Sequence, residues 1–231
     1  ENQLNFYEEL METGEGYSGG VRTLLSEDIE SMGILGTVAD LLTVDERYEK
    51  AIQTALGPLA EALVTRDRKS ALSAIKALKD QQAGSATFLP LEPLLKAKPK
   101  SSVILKGKHV IGAAIDFVTP KSGFSDLAQL LLRDVTLVED EFVADWNKIS
   151  GRAVSVDGTL YDTFGLLKGG SGGEGEDTII GRQDRIQRLR EQFSTLVDEI
   201  QKHSDTIEKI HEKIGSMERE LRTSKASRDD Q

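Results

Sequence analysis

The sequence predicts an α+β fold of two related α/β pieces joined to a coiled coil, on three observations. Strand-like and helix-like patterns alternate between Ile34 and Leu89, and a similar alternation recurs between Ile115 and Val156. Beyond it, apolar residues from Ile186 to Leu221 keep three- and four-residue spacing over five heptads. With 231 residues, 38% of them hydrophobic, the chain can bury a real core.

In chain order, Leu4, Tyr7 and Met11 suit the last turns of an amphipathic helix over residues 1–13, which the run Gly14–Gly20 breaks. Ile34–Val44 reads as a strand interrupted by Gly36. Asp45–Leu56 reads as a helix with Asp45 as N-cap and Tyr48, Ile52, Ala55 and Leu56 on one face, ended by Gly57-Pro58. A short strand at Ala62–Thr65 precedes a second helix, Asp67–Gln82, whose apolar face is set by Leu72, Ile75 and Leu78. Ala86–Leu89 is the next strand. The tract Leu91–Lys108 then carries two prolines and Lys96, Lys98, Lys100, Lys106 and Lys108, with no acid between Pro93 and Ile115, as a surface linker would.

The second half resembles a faded copy of the first. Ala39–Leu42 matches Ile115–Val118 at an offset of 76, where Tyr48 also meets Phe124 and Leu56 meets Leu132. Leu63-Val64 matches Leu137-Val138 at 74, and Thr87–Leu89 corresponds roughly to Ala153–Val156. Two unrelated α/β pieces of similar size are the competing reading; the shared order of the matches favours duplication. In the heptad segment His203 is the one polar entry, at a d position, and Asp198/Lys202, Asp205/Lys209 and Glu218/Arg222 add i,i+4 pairs. A helix from Arg182 to Asp230 would be about 70 Å long.

The chemistry is mostly exclusion. With no cysteine there is no disulfide, thiolate site or cysteine nucleophile. Gly170-Ser-Gly172 lacks the lysine of a phosphate loop, and Gly107-Lys-His109 lacks its hydroxyl. Ser18-Gly-Gly20 resembles part of an ATPase signature, with no nucleotide pocket to accompany it. His203 and His211 stand eight apart, unsuited to a shared metal, and no nucleophile motif is present. No run spans a bilayer, and a cytoplasmic protein is the default. The chain opens in mid-pattern and stops without a helix stop signal, which suggests a fragment of something longer.

The net charge of −10 argues against a wholly basic nucleic-acid coat but leaves room for local patches. Two exist: the lysines 96, 98, 100, 106 and 108, and Arg182, Arg185, Arg188 and Arg190, opposed only by Asp184. Each alone reads as a solvated surface; together they make phosphate-backbone binding a fair hypothesis. Six glycines fall within Gly165–Gly175, directly before the coil.

Several stretches taken jointly resemble the hinge domain of SMC proteins, the chromosome-organising ATPases of the cohesin and condensin type, here of a prokaryotic kind. They are Gly16–Val21, Gly33–Asp40, Tyr48–Ile52 with Ala55–Gly57, Ala86–Leu91 and Gly165–Gly170. The resemblance implies two pseudo-symmetric α/β subdomains, flanking arm helices that pair antiparallel, and a homodimer contacted through Gly165, Gly169 and Gly170. It divides the chain into an incoming arm (1–13), subdomain I (14–95), a basic linker (96–109), subdomain II (110–181) and an outgoing arm (182–231). It implies a non-catalytic, nucleoid-associated module, possessing no cofactor in this fragment, that joins two arms and gates DNA, with the ATPase heads elsewhere. Family members often place lysines after the double glycine; here Gly172–Asp177 is acidic, so Arg182–Arg190 would take over any DNA contact. Gly165–Gly170 should then be ordered and Gly172–Asp177 mobile. The alternative function is a phosphate- or nucleotide-binding α/β enzyme domain with a coiled-coil oligomerisation helix.

Overall fold

A computed structural model describes residues 2–92, 105, 107–140, 151–162, 165–170 and 179–229, with helix side chains described up to residue 220. It divides into two compact units, Asn5–Arg185 and a second formed by Glu1–Leu4 with Ile186–Gln231. In the larger unit α1 (Asn2–Thr13) contributes its turns from Asn5 onward, followed by α2 (Gly19–Leu25). Next come β1 (Ile34–Thr37), β2 (Leu42–Val44), α3 (Glu49–Leu56), β3 (Leu63–Thr65), α4 (Arg68–Gln81) and β4 (Phe88–Pro90). The second half has β5 (Val110–Ala113), β6 (Val118–Pro120), α5 (Ser125–Leu132), β7 (Val135–Val138), β8 (Arg152–Ser155), β9 (Leu160–Tyr161) and β10 (Leu167–Lys168). The chain then enters α6 (Arg182–Asp229).

The internal repeat is written into the sheets. In the first, β1 runs antiparallel to β3 and β3 parallel to β4; in the second, β5 runs antiparallel to β7 and β7 parallel to β8. Both antiparallel pairs shift register at the same place, between Ile34 and Gly36 and between Val110 and Gly112, again an offset of 76. β2 and β6 then pair with each other, Leu42 with Pro120, Thr43 with Thr119 and Val44 with Val118. Under the offset of 76 this ladder maps onto itself, and Thr43 pairs with its own counterpart, as at a two-fold axis.

One hydrophobic core runs through both halves, including Leu42, Ile52, Leu56 and Val64 from the first and Val118, Leu127, Leu132, Leu137 and Val154 from the second. A second cluster lies on the other face of the first sheet. There Leu63 and Ile34 meet Tyr17, Val21 and Leu24 from the α2 region and Ala74 and Leu78 of α4. Period-two alternation explains the division, since Leu63 and Val64 face opposite sides of β3.

Local departures from the sequence reading have physical causes. Ile34–Val44 is two strands, because the Thr37 Oγ1 hydroxyl donates to the Asp40 carboxylate (2.7 Å) and a 3-10 turn over Ala39–Leu41 bends the chain. Asp45 caps a 3-10 turn, accepting from Arg47 N, before α3 proper begins at Glu49. α2 begins inside the glycine run expected only to break structure; a side chain at Gly20 would strike the Ser85 backbone. In α4, capped by Asp67 accepting from Ser70 N (2.7 Å), the buried side is Ala71, Ala74 and Leu78, while Leu72 is 59% exposed. Leu72 therefore belongs to the solvent face and not to the apolar stripe. The hairpin β9–β10 is an addition the sequence did not suggest.

The smaller unit is dominated by one uninterrupted helix, as the heptads predict. Its seam residues Phe193, Leu196, Ile200, Ile207, Ile210, Ile214 and Met217 are exposed in the single chain. Among the described residues no helix is long and apolar enough to cross a membrane.

Candidate functional site

Three features of the larger unit bear on function: what joins its halves, what its sheets leave open, and what fastens the start of α6. The first centres on Arg152 at the head of β8. Its guanidinium donates to the carbonyls of Ala55 (2.7 Å) and Leu131 (2.9 Å), in the last turns of α3 and α5. These two residues are again 76 apart, so one cation serves the C-terminal ends of both equivalent helices, where unsatisfied carbonyls favour positive charge. Asp134 holds the guanidinium from the other side, accepting at 2.8 and 3.1 Å. Burial works to raise the Asp134 carboxyl, but the hydrogen bond and charge of Arg152 outweigh it and hold it below the usual range.

The second feature is the edge of the larger sheet, whose order ends β8-β9-β10. All of Gly165–Gly170 is exposed, and Leu166 and Leu167 are 54% and 60% exposed. An edge strand with apolar side chains is a template for pairing, and natural monomers usually blunt one. Gly165 (φ +79°) closes the β9–β10 turn, donating from its N–H to Asp162 O, and Gly170 lies at φ +141°. Open space surrounds both, whereas a side chain at Gly169 would press on Thr159. Within the chain, then, turn geometry accounts for Gly165 and Thr159 for Gly169. Gly172–Asp177 lies outside the described residues.

The third feature is the root of α6. Gln53 of α3 accepts from Ile179 N (2.6 Å) and Ile180 N (3.3 Å) through its Oε1. One turn earlier, the Glu49 carboxylate, 3% exposed, pairs with the Arg185 guanidinium at 2.5 Å. Arg185 also donates to the Tyr7 hydroxyl (2.9 Å) and lies over its ring. A side chain at Gly181 would occupy the space of the Glu49 carboxylate, so the chain enters α6 as glycine there. Arg182 is 4% exposed and donates to Glu15 O, and a side chain at Gly16 would press on its guanidinium. Beside it, burial and then the Asp40 charge push the Tyr17 hydroxyl up to about 12, so it stays protonated. Gly16-Tyr-Ser-Gly-Gly20 is thus explained by packing; Ser18 donates its N–H to Glu61 (2.7 Å).

Of the cations expected to meet DNA, Arg182 and Arg185 are turned inward and committed to Glu15 and Glu49, which corrects their place in a surface patch. Arg188, Arg190 and Lys108 are exposed. Lys96, Lys98, Lys100 and Lys106 lie outside the described residues. Sequence reasoning missed Glu49, Gln53 and Arg152. Glu49 left a trace, as an acid beside Tyr48 and three residues before Ile52 on an otherwise apolar stripe; Arg152 left none. Among the described residues no cluster of three or more acids or histidines could hold a metal.

An internally duplicated α+β body with an open apolar strand edge, continuing into a heptad helix, is the construction of an assembly module. The family model for the flexible hinge domain of SMC proteins matches residues 30–145, and the chain belongs to that family. It is similar to the chromosome partition protein Smc of Halothermothrix orenii, 29% identical over 201 residues, covering 84% of this chain and 17% of that protein. Smc of Desulfitobacterium hafniense is 34% identical over 187 residues, covering 77% and 16%. The chain therefore spans about a sixth of the length of these curated relatives. Among solved structures, the hinge domain of Pyrococcus furiosus SMC is 30% identical with a TM-score of 0.55, covering 77% of this chain and 94% of that one. An asymmetric dimer of the Geobacillus stearothermophilus hinge shares the fold at a TM-score of 0.70 and 24% identity, covering 85% and 82%.

Proposed function

We propose that this chain is the non-catalytic homodimerisation hinge of a chromosome-organising SMC ATPase, joining two coiled-coil arms, in the cytoplasm and at the nucleoid. The observation that carries the reading is the exposed edge at β10, with Leu166 and Leu167 turned to solvent beside Gly165, Gly169 and Gly170. A second copy adds a strand to that edge and covers the leucines, and a two-fold axis relating the copies closes the dimer. The exposed heptad seam of α6 is covered by the incoming arm of the same protein. The solved Geobacillus stearothermophilus hinge, an asymmetric dimer, supports the stoichiometry. DNA is the second partner, held through Arg188, Arg190, Lys108 and the lysines at 96, 98, 100 and 106, and the hinge serves as its gate.

Sedimentation velocity from nanomolar to tens of micromolar protein tests the dimer. Leu166→Lys with Leu167→Lys charges the edge without touching the core, and it should raise the dimer dissociation constant at least tenfold, with the thermal midpoint unchanged at concentrations where both proteins are monomeric. A concentration-independent monomer for the wild type sinks the reading. Arg188→Glu with Arg190→Glu should weaken DNA binding and flatten its salt dependence; identical binding removes those two residues from the DNA contact.

A further inference from the structure

Helix α6 carries one glycine and no proline in its 48 residues. That glycine, Gly215, stands about 50 Å along the helix from Arg182. Ile214 and Met217 continue the a and d positions on either side of it, so Gly215 falls at b, on the face turned away from the seam. A side chain there would meet open space, and its φ is not positive. Neither close packing nor backbone conformation calls for glycine, and a partner helix on the seam would not touch it. Its effect is local: in a helix interior glycine is disfavoured against alanine by about fivefold in the helix–coil equilibrium.

Two side chains act on the same turn. Ser216 Oγ donates to Lys213 O (2.8 Å), and Arg219 Nε donates to Gly215 O (3.0 Å). In a helix these carbonyls accept from the amides of Met217 and Arg219. Each therefore has a second donor that stays with it when the amide moves away, which lowers the cost of opening the bonds around Gly215. Thr195 and Thr206 make the same kind of bond, to Glu191 O and Lys202 O, but without a glycine beside them. A glycine–serine pair and a side chain inserted into the hydrogen-bond ladder are two of the recognised causes of a helix bend.

We propose that Gly215-Ser216 is a flex point of α6, where the helix opens locally and bends while the apolar seam runs on through Ile214 and Met217. A helix built this way changes direction at a fixed distance along its length without ending the coil. The flex point is a property of α6 itself. Only its service to an arm rests on the function proposed above, which sedimentation decides separately.

The test is residue-resolved amide exchange on the 231-residue chain. Protection should pass through a minimum at the amides of residues 217–219, roughly fivefold below residues 207–210 on one side and 221–224 on the other. Gly215→Ala should fill that minimum, raising protection there about fivefold. Arg219→Met removes the second donor with little change in helix propensity, and should raise protection about twofold. Since the chain has no cysteine, spin labels report only on introduced sites. Ser204→Cys with Glu218→Cys straddles Gly215, and Val197→Cys with His211→Cys spans the same number of residues without it. The first pair should give the broader distance distribution, narrowing to match the second in Gly215→Ala. Fraying from the helix end gives instead a protection that falls smoothly toward Asp229, and that profile overturns the proposal. So does a minimum that survives Gly215→Ala or that Arg219→Met leaves as deep, and so do equal widths for the two label pairs.

Discussion

Helices α3 and α5 occupy equivalent places in the two halves, and their buried faces carry opposite sizes at matched positions. Ala51 corresponds to Leu127, Ile52 to Ala128 and Ala55 to Leu131, with Leu56 and Leu132 alike; all eight are buried in the shared core. The outward duties of the two helices also diverge. α3 receives the start of α6 through Glu49 and Gln53, whereas the matching residues of α5, Ser125 and Gln129, are exposed. A duplicated backbone thus keeps its sheets and bulges while its side chains specialise. Where the halves face each other they become complementary, and where they face outward only one accepts the arm.

The largest effect should come from breaking that specialisation at Glu49. Glu49→Gln leaves the Arg185 guanidinium facing a neutral amide in a site where its partner's side chain is 4% exposed, and should cost about 3–5 kcal/mol. Ser125→Ala at the equivalent place on α5 should cost less than about 0.5 kcal/mol. Urea unfolding of the two variants measures the contrast, and equal effects would mean that the two helices are not specialised. Replacing both partners, Glu49→Gln with Arg185→Met, should be less damaging than the single change, because no unpaired cation remains.

Arg152 tests the opposite property, what the halves share. Arg152→Met keeps the aliphatic stem but strands the Ala55 and Leu131 carbonyls and the Asp134 carboxylate, at a cost of about 3 kcal/mol after allowing for partial exposure. Amide exchange should rise in the last turns of both α3 and α5 together. Protection lost in one helix alone would mean that Arg152 does not bridge the pair.

The complementary sizes can be probed directly. Ala128→Ile makes α5 resemble α3 and should overpack the core by about 1–3 kcal/mol, while Ile52→Ala opens a cavity costing about 2–5 kcal/mol. The double exchange should cost less than the sum of the two. Strict additivity in urea melts would show that positions 52 and 128 pack independently.

Much of this was readable beforehand, and the limits are physical. The repeat was visible because sheet positions demand apolar residues at fixed offsets, and Leu42/Val118 and Leu56/Leu132 met that demand. The match of Leu63 to Leu137 was one residue out, because the registers Gly36–Val64 and Gly112–Leu137 make Val64 the counterpart of Leu137 and put Leu63 on the other face. The heptads of α6 were visible for the same reason. Arg152 was not, because a cation answering two carbonyls depends on where helices end in space and leaves no periodic mark. Arg182 and Arg185 were misplaced because three-residue spacing puts charges on one side of a helix without saying which side faces the body. Leu72 was misassigned by the same ambiguity: alanines 71 and 74 formed the packing face, and a larger residue drew the eye to the wrong side. Glycine density was equally ambiguous. At Gly20 it reports a neighbour's backbone, at Gly165 a turn.

The smallest effect concerns acid, and it belongs to the second half alone. Where α3 ends in Gly57-Pro58, α5 ends in Arg133-Asp134, so only the second half carries the Asp134–Arg152 pair. Burial raises the Asp134 carboxyl and Arg152 lowers it further, leaving it below its ordinary value. A carboxyl depressed by folding contributes stability that is fully present above its unfolded pKa, about 3.9, and is lost as pH falls through the folded value. Asp134→Asn should therefore lower stability at pH 7 and make the fall below about pH 4 shallower, as read from urea midpoints between pH 3 and 7. The slope should flatten only in part, since Asp67 and Asp157 are also depressed, chiefly by hydrogen bonds from Ser70 and Ser155. Asp157 belongs to the second half and Asp67 to the first, so Asp67→Asn gives the matching measurement. If Asp134→Asn leaves the acid slope unaltered while lowering stability equally at every pH, the pair acts through its geometry on the two helix ends and not through its charge.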